Sequence, residues 1–371
     1  MNLALGWAFS RVFSKMGILL EPAQFGDLNL RNRIVLAPLT RCRAGPERTP
    51  NALMREYYVQ RASAGMILTE ATSITPMGVG YPNTPGIWSE EQVAGWRSIT
   101  DAVHEAGGLI VSQLWHVGRI SHQNFLDGAS PVAPSAIAAA GPVRLMRPKD
   151  DYPVPRAIAR EEIPGIIADY RQAAENAKRA GFDGVELHGA NGYLPDQFLQ
   201  DSTNTRTDDY GGSIENRARF LLEAVDVLID VWGAGRVGVH LAPRGDSNDM
   251  GDSNPAETFG YVARELAKRK VAFIFVRESE GAGALTAELK RTFGGPVIAN
   301  ESRTKESAEA ALNAGDADAV SFGRLYIANP DLPERFATGA ELNEPDPSTF
   351  YSFEPEGYVD YPTLPAVKRT A

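Results

Sequence analysis

The stretch EIPGIIADYRQAAENAKRAGFDGVELH, residues 162–188, decides the fold. Apolar residues at Ile163, Ile166, Ile167, Tyr170, Ala173, Ala174 and Ala177 recur at helical spacing and mark one face of an amphipathic helix over Glu162–Ala180. Gly181 supplies the stop. Gly184-Val185-Glu186-Leu187-His188 is then short and nearly continuously apolar, as a strand buried on both faces is.

The same unit repeats in both directions. Downstream, Ser213 can cap a helix with the stripe Ile214, Ala218, Leu221, Leu222, Val225, Leu228, Ile229 and Trp232, ended by Gly233 and followed by a strand Val237–Leu241. A helix from Pro255 to Lys270, with proline at its start, precedes a strand Val271–Val276, and Pro296–Ala299 is a further strand. A helix Thr304–Ala314 ends at Gly315 before a strand Ala319–Phe322. Upstream, Ser89 and Gln92 form a capping-box pair for a helix ending at Gly107-Gly108, before Leu109–Leu114. A helix Asn51–Ala64 precedes the strand Met66–Glu70, and Ile34–Ala37 is the first strand. Eight such strands, starting near 34, 66, 109, 184, 237, 271, 296 and 319, predict an α/β fold, a closed (β/α)8 TIM barrel. A doubly wound dinucleotide fold would want a glycine-rich turn after its first strand; here that strand runs into Pro38-Leu39-Thr40.

One connection is too long for a simple loop. Residues 115–161 form a Pro-, Ala- and Gly-rich excursion after strand three, expected to lie over the C-terminal face as a cover. The barrel is assigned to 18–342. Residues 343–371 carry several prolines and Phe350, Tyr351, Phe353, Tyr358 and Tyr361, and read as an irregular tail packed on the barrel. In residues 1–17 an apolar run is followed by Arg11 and Lys15 and preceded by no charged side chain, the reverse of a secretory signal. They read as an amphipathic extension or as translation from an upstream start, with a signal peptide as the alternative.

Composition bounds the function. Hydrophobic residues are 43% and charged residues 23% of 371, enough for a large core. The net charge of −10 argues against nucleic acid or an anionic membrane as main partner, and no stretch of 18 apolar residues occurs. The single cysteine, Cys42, permits no intrachain disulfide and suits a reducing, cytoplasmic setting. It lies between Arg41 and Arg43, which could lower its thiol pKa; the simpler reading is a packed thiol.

The active site of such a barrel lies at the C-terminal strand ends. The residues falling there are Thr40; Glu70-Ala71; Gln113, Trp115 and His116; His188, Asn191 and Tyr193; His240 and Arg244; Asn300; and Gly323-Arg324. His116, His188 and His240 follow different strands, so a metal-dependent hydrolase with a three-histidine site is the rival reading. The set suits a flavin better. Gln113 and Thr40 can serve its ring edge, and Gly323-Arg324 falls at the barrel's usual phosphate position. His188 and Asn191 can aim two N–H donors at one carbonyl oxygen, which makes the β-carbon of an enone a hydride acceptor. Tyr193 could then protonate the α-carbon.

These residues sit in long motifs. NRIVLAPLTR (32–41), TEAT (69–72), QLWHVG (113–118), GVELHGANGYLPDQFLQDSTNTRTDDYGGSIENRAR (184–219), FGR (322–324) and IANPDL (327–332) resemble, in order, those of the Old Yellow Enzyme family, over roughly residues 18–365. The resemblance implies a non-covalently bound FMN and an ene-reductase that passes hydride from NADPH or NADH, through flavin N5, to the β-carbon of α,β-unsaturated carbonyl or nitro compounds. It implies that Pro38, Leu39, Thr40, Ala71 and Gln113 meet the flavin ring, with Asn300, Gly323 and Arg324 at the phosphate. It gives His188 and Asn191 the substrate carbonyl, Tyr193 the proton, and Trp115 and Tyr351 the shaping of the pocket. The partner is an electron-poor alkene, and the chain a monomer or homodimer. Two departures stand out. Many members end strand five in an arginine at the flavin N1/O2 edge, where this chain has His240. A flavin potential that depends on pH through His240 is therefore expected. Relatives often place glycines where this chain has Asn300-Glu301, and Glu301 would repel a phosphate unless its side chain turns away. A flavin-binding protein with little turnover is the third reading.

Overall fold

The computed structural model describes residues 17–245 and 247–365. Most of the extension expected over 1–17, and the last residues of the tail, lie outside them. Eight parallel strands close into a ring: β1 (Ile34–Leu36), β2 (Met66–Leu68), β3 (Ile110–Trp115), β4 (Gly184–His188), β5 (Val237–Leu241), β6 (Phe273–Arg277), β7 (Val297–Asn300) and β8 (Ala319–Phe322). Each pairs with its chain neighbours, and β8 closes on β1 through Val320↔Ile34, Ser321↔Val35 and Phe322↔Leu36. The helices between them are α1 (Ala52–Gln60), α2 (Glu90–Glu105), α3 (Ile163–Arg179), α4 (Leu194–Leu199), α5 (Ile214–Trp232), α6 (Pro255–Arg269), α7 (Thr286–Phe293) and α8 (Lys305–Ala314), with α9 (Arg324–Ala328) and α10 (Leu332–Thr338) after β8. The (β/α)8 barrel is thus the observed fold.

The strands are apolar throughout because both faces are covered. Outward residues such as Val185, Leu187 and Val239 pack under the helices together with Tyr170, Ala173, Ala177 and Leu228. Inward residues Val35, Met66, Leu68, Val111, Phe273, Phe275 and Ile298 fill the barrel. A hairpin (Ala23–Phe25 with Leu28–Leu30) plugs its lower end with Phe25, Leu28 and Leu30. Gly238 is required inside, since a Cβ there would lie 2.1 Å from the Phe273 ring. The upper end is left open for the site.

Side-chain caps follow the local sequence at α1, α2, α5, α6 and α8. Ser89 and Gln92 close their capping box, Ser213 accepts from Asn216 N, and Asn254 caps α6. Helix α7, which the spacing does not predict, lacks such a signal. Its N-terminal amides at Leu285 and Thr286 donate to the carboxylate of Glu278, at 2.8 and 2.9 Å to Oε2, across an eight-residue loop. Strand β6 also runs one residue further than expected, to Arg277.

The excursion folds over the C-terminal face around its own apolar cluster: Tyr81, Trp115, Val117, Ile120, Val143, Met146 and Tyr152. A two-residue parallel ladder (Val132–Ala133 with Arg156–Ala157) holds its base. The tail packs back on the body. Tyr358 is fully buried and stacks on Tyr57, with centroids 4.2 Å apart, while Arg41 and Arg43 donate to tail carbonyls at Phe350, Thr349, Glu354 and Gly357. Cys42, beside those arginines, is buried. Desolvation and the nearby Glu70 push its thiol up to about 12, so it is not an activated thiol.

Candidate active site

Two adjoining cavities open at the C-terminal face. The larger, about 610 Å³, is lined by Pro38, Leu39, Thr40, Asn191, His240, Arg277, Asn300, Glu301, Arg303, Gly323 and Arg324, among others. The smaller, about 350 Å³, is lined by Thr40, Tyr81, Arg144, Arg147, Lys149, Tyr193 and Tyr351, among others. Thr40, Arg144 and Tyr351 line both, so the cavities meet there.

The floor between them is a stack of buried rings. His188 at the end of β4 and His240 in β5 are register partners, and their rings stack 4.9 Å apart at 5°. Tyr193 stands edge-on to His188 at 4.9 Å and to Trp115 at 5.0 Å. Its hydroxyl hydrogen-bonds that of Tyr81 at 3.0 Å. Asn191 and Gly192 both take positive φ, 58° and 77°, in the turn after β4. Asn tolerates this and Gly favours it; a Cβ on Gly192 would lie 2.7 Å from Met250 Cγ.

Burial sets the charges. It pushes His188 down to about 3, with Arg277 adding to the shift. It pushes His240 well below its usual range, helped by His188 and Arg277. It pushes Tyr193 up to about 12. Gln113 Nε2 donates to Glu186 Oε2 at 2.7 Å and to His240 Nδ1 at 3.1 Å. His240 therefore carries its proton on Nε2, which has no partner among the described residues, as have His188 Nδ1 and Ser321 Oγ. Buried polar atoms left unpaired are costly, so the cavity is built for a ligand that supplies acceptors and donors.

A family model described as the NADH:flavin oxidoreductase / NADH oxidase family matches residues 18–343. The chain belongs to this family, the Old Yellow Enzymes. The FMN-dependent alkene reductase of Leishmania infantum, a probable assignment, is 44% identical over 96% of this chain and 100% of its own length. A 12-oxophytodienoate reductase 1 of Oryza sativa subsp. japonica is 44% identical over 93% of each chain. The solved old yellow enzyme homologue of Zymomonas mobilis superposes with a TM-score of 0.91 at 46% identity, covering 93% of this chain and 99% of that one. Morphinone reductase in complex with tetrahydroNAD gives 0.90 at 49%, covering 94% and 98%.

As an FMN-dependent Old Yellow Enzyme, the chain has a cavity whose donors fit its cofactor. The unpartnered Nε2–H of His240 suits a ring carbonyl. Gly323 lies where a Cβ would press on Leu39 at 3.3 Å, so glycine keeps the wall clear. Arg324 is exposed at the rim, and Arg303 Nε is buried without a partner. Pro38, Leu39, Thr40, His240, Asn300, Gly323 and Arg324 all line this cavity. Ala71, Gln113 and Trp115 instead lie buried behind the two cavities, Gln113 with its amide N–H groups already committed.

Three expectations are corrected. The three-histidine metal site is absent: His188 and His240 stack, while His116 Nδ1 accepts from Gly118 N, and no metal-holding group of His, Cys, Asp or Glu occurs among the described residues. The hydrolase reading has no support. His240 stays neutral in its buried place, so it does not supply a charge that titrates near 6.5. Glu301 neither faces a phosphate as a free charge nor points to solvent; its Oε2 accepts from Arg277 Nε at 2.5 Å. Arg244 lines neither cavity; its Nε donates to Glu278 Oε1 at 2.6 Å. Arg277 is the site residue that the sequence reading missed, because the strand was expected to end at Val276. No helix among the described residues is long and apolar enough to cross a membrane.

Proposed function

We propose that this protein reduces electron-poor alkenes with NADPH as hydride donor, His188 and Asn191 binding the substrate carbonyl and Tyr193 protonating the α-carbon. The observation that carries the reading is the phenol of Tyr193: half-buried in the wall of the smaller cavity, held by Tyr81 at 3.0 Å, and in ring contact with His188. The hydride chemistry is what FMN supplies when bound, with Pro38, Leu39, Thr40, Asn300, Gly323 and Arg324 around it. His188 and Asn191 donate to the carbonyl oxygen as negative charge develops there. Tyr193 releases its proton to the α-carbon, and Tyr81 steadies the phenolate that remains. Tyr351, which lines both cavities, bounds the space for the alkene, and Trp115 backs the Tyr193 ring from behind.

Anaerobic titration of the FMN-loaded protein with NADPH tests this reading. Bleaching of the flavin band, with recovery on adding 2-cyclohexenone, is expected. A band that bleaches but does not recover would leave a flavin-binding protein without alkene turnover.

The pH profile should be flat. Histidines whose pKa is lowered remain neutral as pH falls, and a tyrosine whose pKa is raised remains protonated as pH rises. With His188 at about 3 and Tyr193 at about 12, neither changes state near neutrality. We therefore expect kcat/KM for 2-cyclohexenone to vary less than about twofold between roughly pH 6 and 9. A limb near 6.5 that disappears in His188→Gln would count against it.

Preference for NADPH rests on Arg144, Arg147 and Lys149, exposed cations lining the smaller cavity and without an ion-pair partner among the described residues. They suit the 2′-phosphate, which NADH lacks. The double substitution Arg144→Gln/Arg147→Gln is expected to raise KM for NADPH about tenfold and leave KM for NADH within about twofold. Equal effects on both would show that these cations do not read the phosphate.

A further inference from the structure

Arg277 ends strand β6, two residues beyond Phe275, which is the register partner of His240. Its guanidinium lines the larger cavity and is held from two sides. Nε donates to Glu301 Oε2 at 2.5 Å, and Nη1 donates to Asn191 Oδ1 at 2.7 Å and to Ser247 Oγ at 3.2 Å. A guanidinium has donors only. The atom of the Asn191 amide that faces it is therefore the oxygen, and the amide N–H2 is left to donate elsewhere. Asn191 cannot swing away easily. Its backbone is held in the left-handed turn at φ 58°, and its carbonyl accepts from Asn248 Nδ2 at 2.7 Å.

The loop that supplies Glu301 is shaped for this contact. Glu301 and Ser302 take φ 112° and 51°, conformations disfavoured for non-glycine residues, and such strain persists only where the surroundings hold it. The charge of Arg277 also reaches the histidine pair, since it helps to keep both His188 and His240 neutral. The buried rings supply neutral donors, and Arg277 is the cation held directly against the donor set.

We infer that Arg277 is a positioning residue for carbonyl binding: it fixes the Asn191 amide with its N–H2 free to donate, places a constant positive charge behind that donor, and has Glu301 as its counter-ion. The inference rests on the proposed role of His188 and Asn191. Polarising an amide through its oxygen strengthens its N–H donors. The effect is largest when the substrate oxygen is most negative, so it acts on kcat more than on KM.

The test uses FMN-loaded protein and 4-nitrophenol, whose phenolate oxygen stands in for the developing oxyanion. The pKa of the bound phenol, read from its absorbance, reports the strength of the donor set. Arg277→Met should raise that pKa by about one and lower kcat for 2-cyclohexenone about tenfold or more, with KM changed less than about threefold. Arg277→Lys, which keeps charge and donors, should recover most of both. Glu301→Gln removes the counter-charge and should move the bound phenol's pKa down, the opposite direction to Arg277→Met. This arm decides the matter should Arg277→Met fail to fold.

A bound-phenol pKa unchanged in both Arg277→Met and Glu301→Gln overturns the inference. So does an Arg277→Met protein whose only defect is weaker FMN binding, since the guanidinium would then serve the cofactor. Wild-type protein that bleaches with NADPH, turns over the enone and binds 4-nitrophenol keeps the proposed function standing in either case. Wild-type protein that does none of these fails the function itself.

Discussion

Tyr193→Phe is expected to slow steady-state reduction of 2-cyclohexenone by about 10²- to 10⁴-fold, while bleaching of the FMN-loaded enzyme by NADPH keeps nearly its wild-type rate. The substitution removes one oxygen and leaves the ring, so packing against Trp115 at 5.0 Å and His188 at 4.9 Å is retained. What is lost, on the proposed reading, is the proton for the α-carbon. Burial holds that proton firmly, pushing the phenol to about 12, and the hydrogen bond with Tyr81 pulls the other way. Tyr81 is no ready replacement, because desolvation holds its own phenol well above the usual range. Stopped-flow absorbance separates the two half-reactions. Equal slowing of both would mean that Tyr193 only shapes the cavity, and unchanged turnover would mean that water supplies the proton.

Arg61→Ala is expected to destabilise the fold by about 3–5 kcal/mol. Arg61 is fully buried between α1, α9 and the tail. Its guanidinium donates to the carbonyls of Tyr57 at 2.9 Å, Tyr326 at 3.2 Å and Ile327 at 2.7 Å, and lies 3.7 Å from the centroid of the Tyr57 ring. It has no carboxylate partner among the described residues. Desolvation lowers its pKa, so the carbonyl dipoles and the ring face are what hold the charge. Truncation to alanine leaves those carbonyls without a donor and opens a cavity in the same place. The expected signature is a lower urea midpoint with an unchanged slope. A loss below about 1 kcal/mol would show that water enters and satisfies the carbonyls.

Much of the site could be read in the chain because barrel geometry assigns strand ends to one face. Once the period of helix and strand is seen, Thr40, His188, Tyr193, His240 and Gly323-Arg324 must come together, wherever they stand in sequence. The contacts that modify them are another matter. Glu278 reaching the first amides of α7, Gln113 fixing the tautomer of His240, and Arg277 facing Asn191 join residues 7, 127 and 86 positions apart. None has a local signature. His240 shows the limit well. A histidine at a strand end looks like a switch near neutral pH, and only its burial, its stacking on His188 and the nearby Arg277 keep it neutral.

By itself, then, the sequence determined the repeated helix–glycine–strand unit, the closed barrel, the family and the face on which the chemistry falls. These depend on hydrophobic period and on turn residues, which are local and are written along the chain. Only the tertiary structure decided which polar atoms are left unpaired, which histidines are neutral, and that the cation held against Asn191 comes from β6 rather than β5. Those are properties of desolvation and of distances between strands, and both exist only after the barrel has closed.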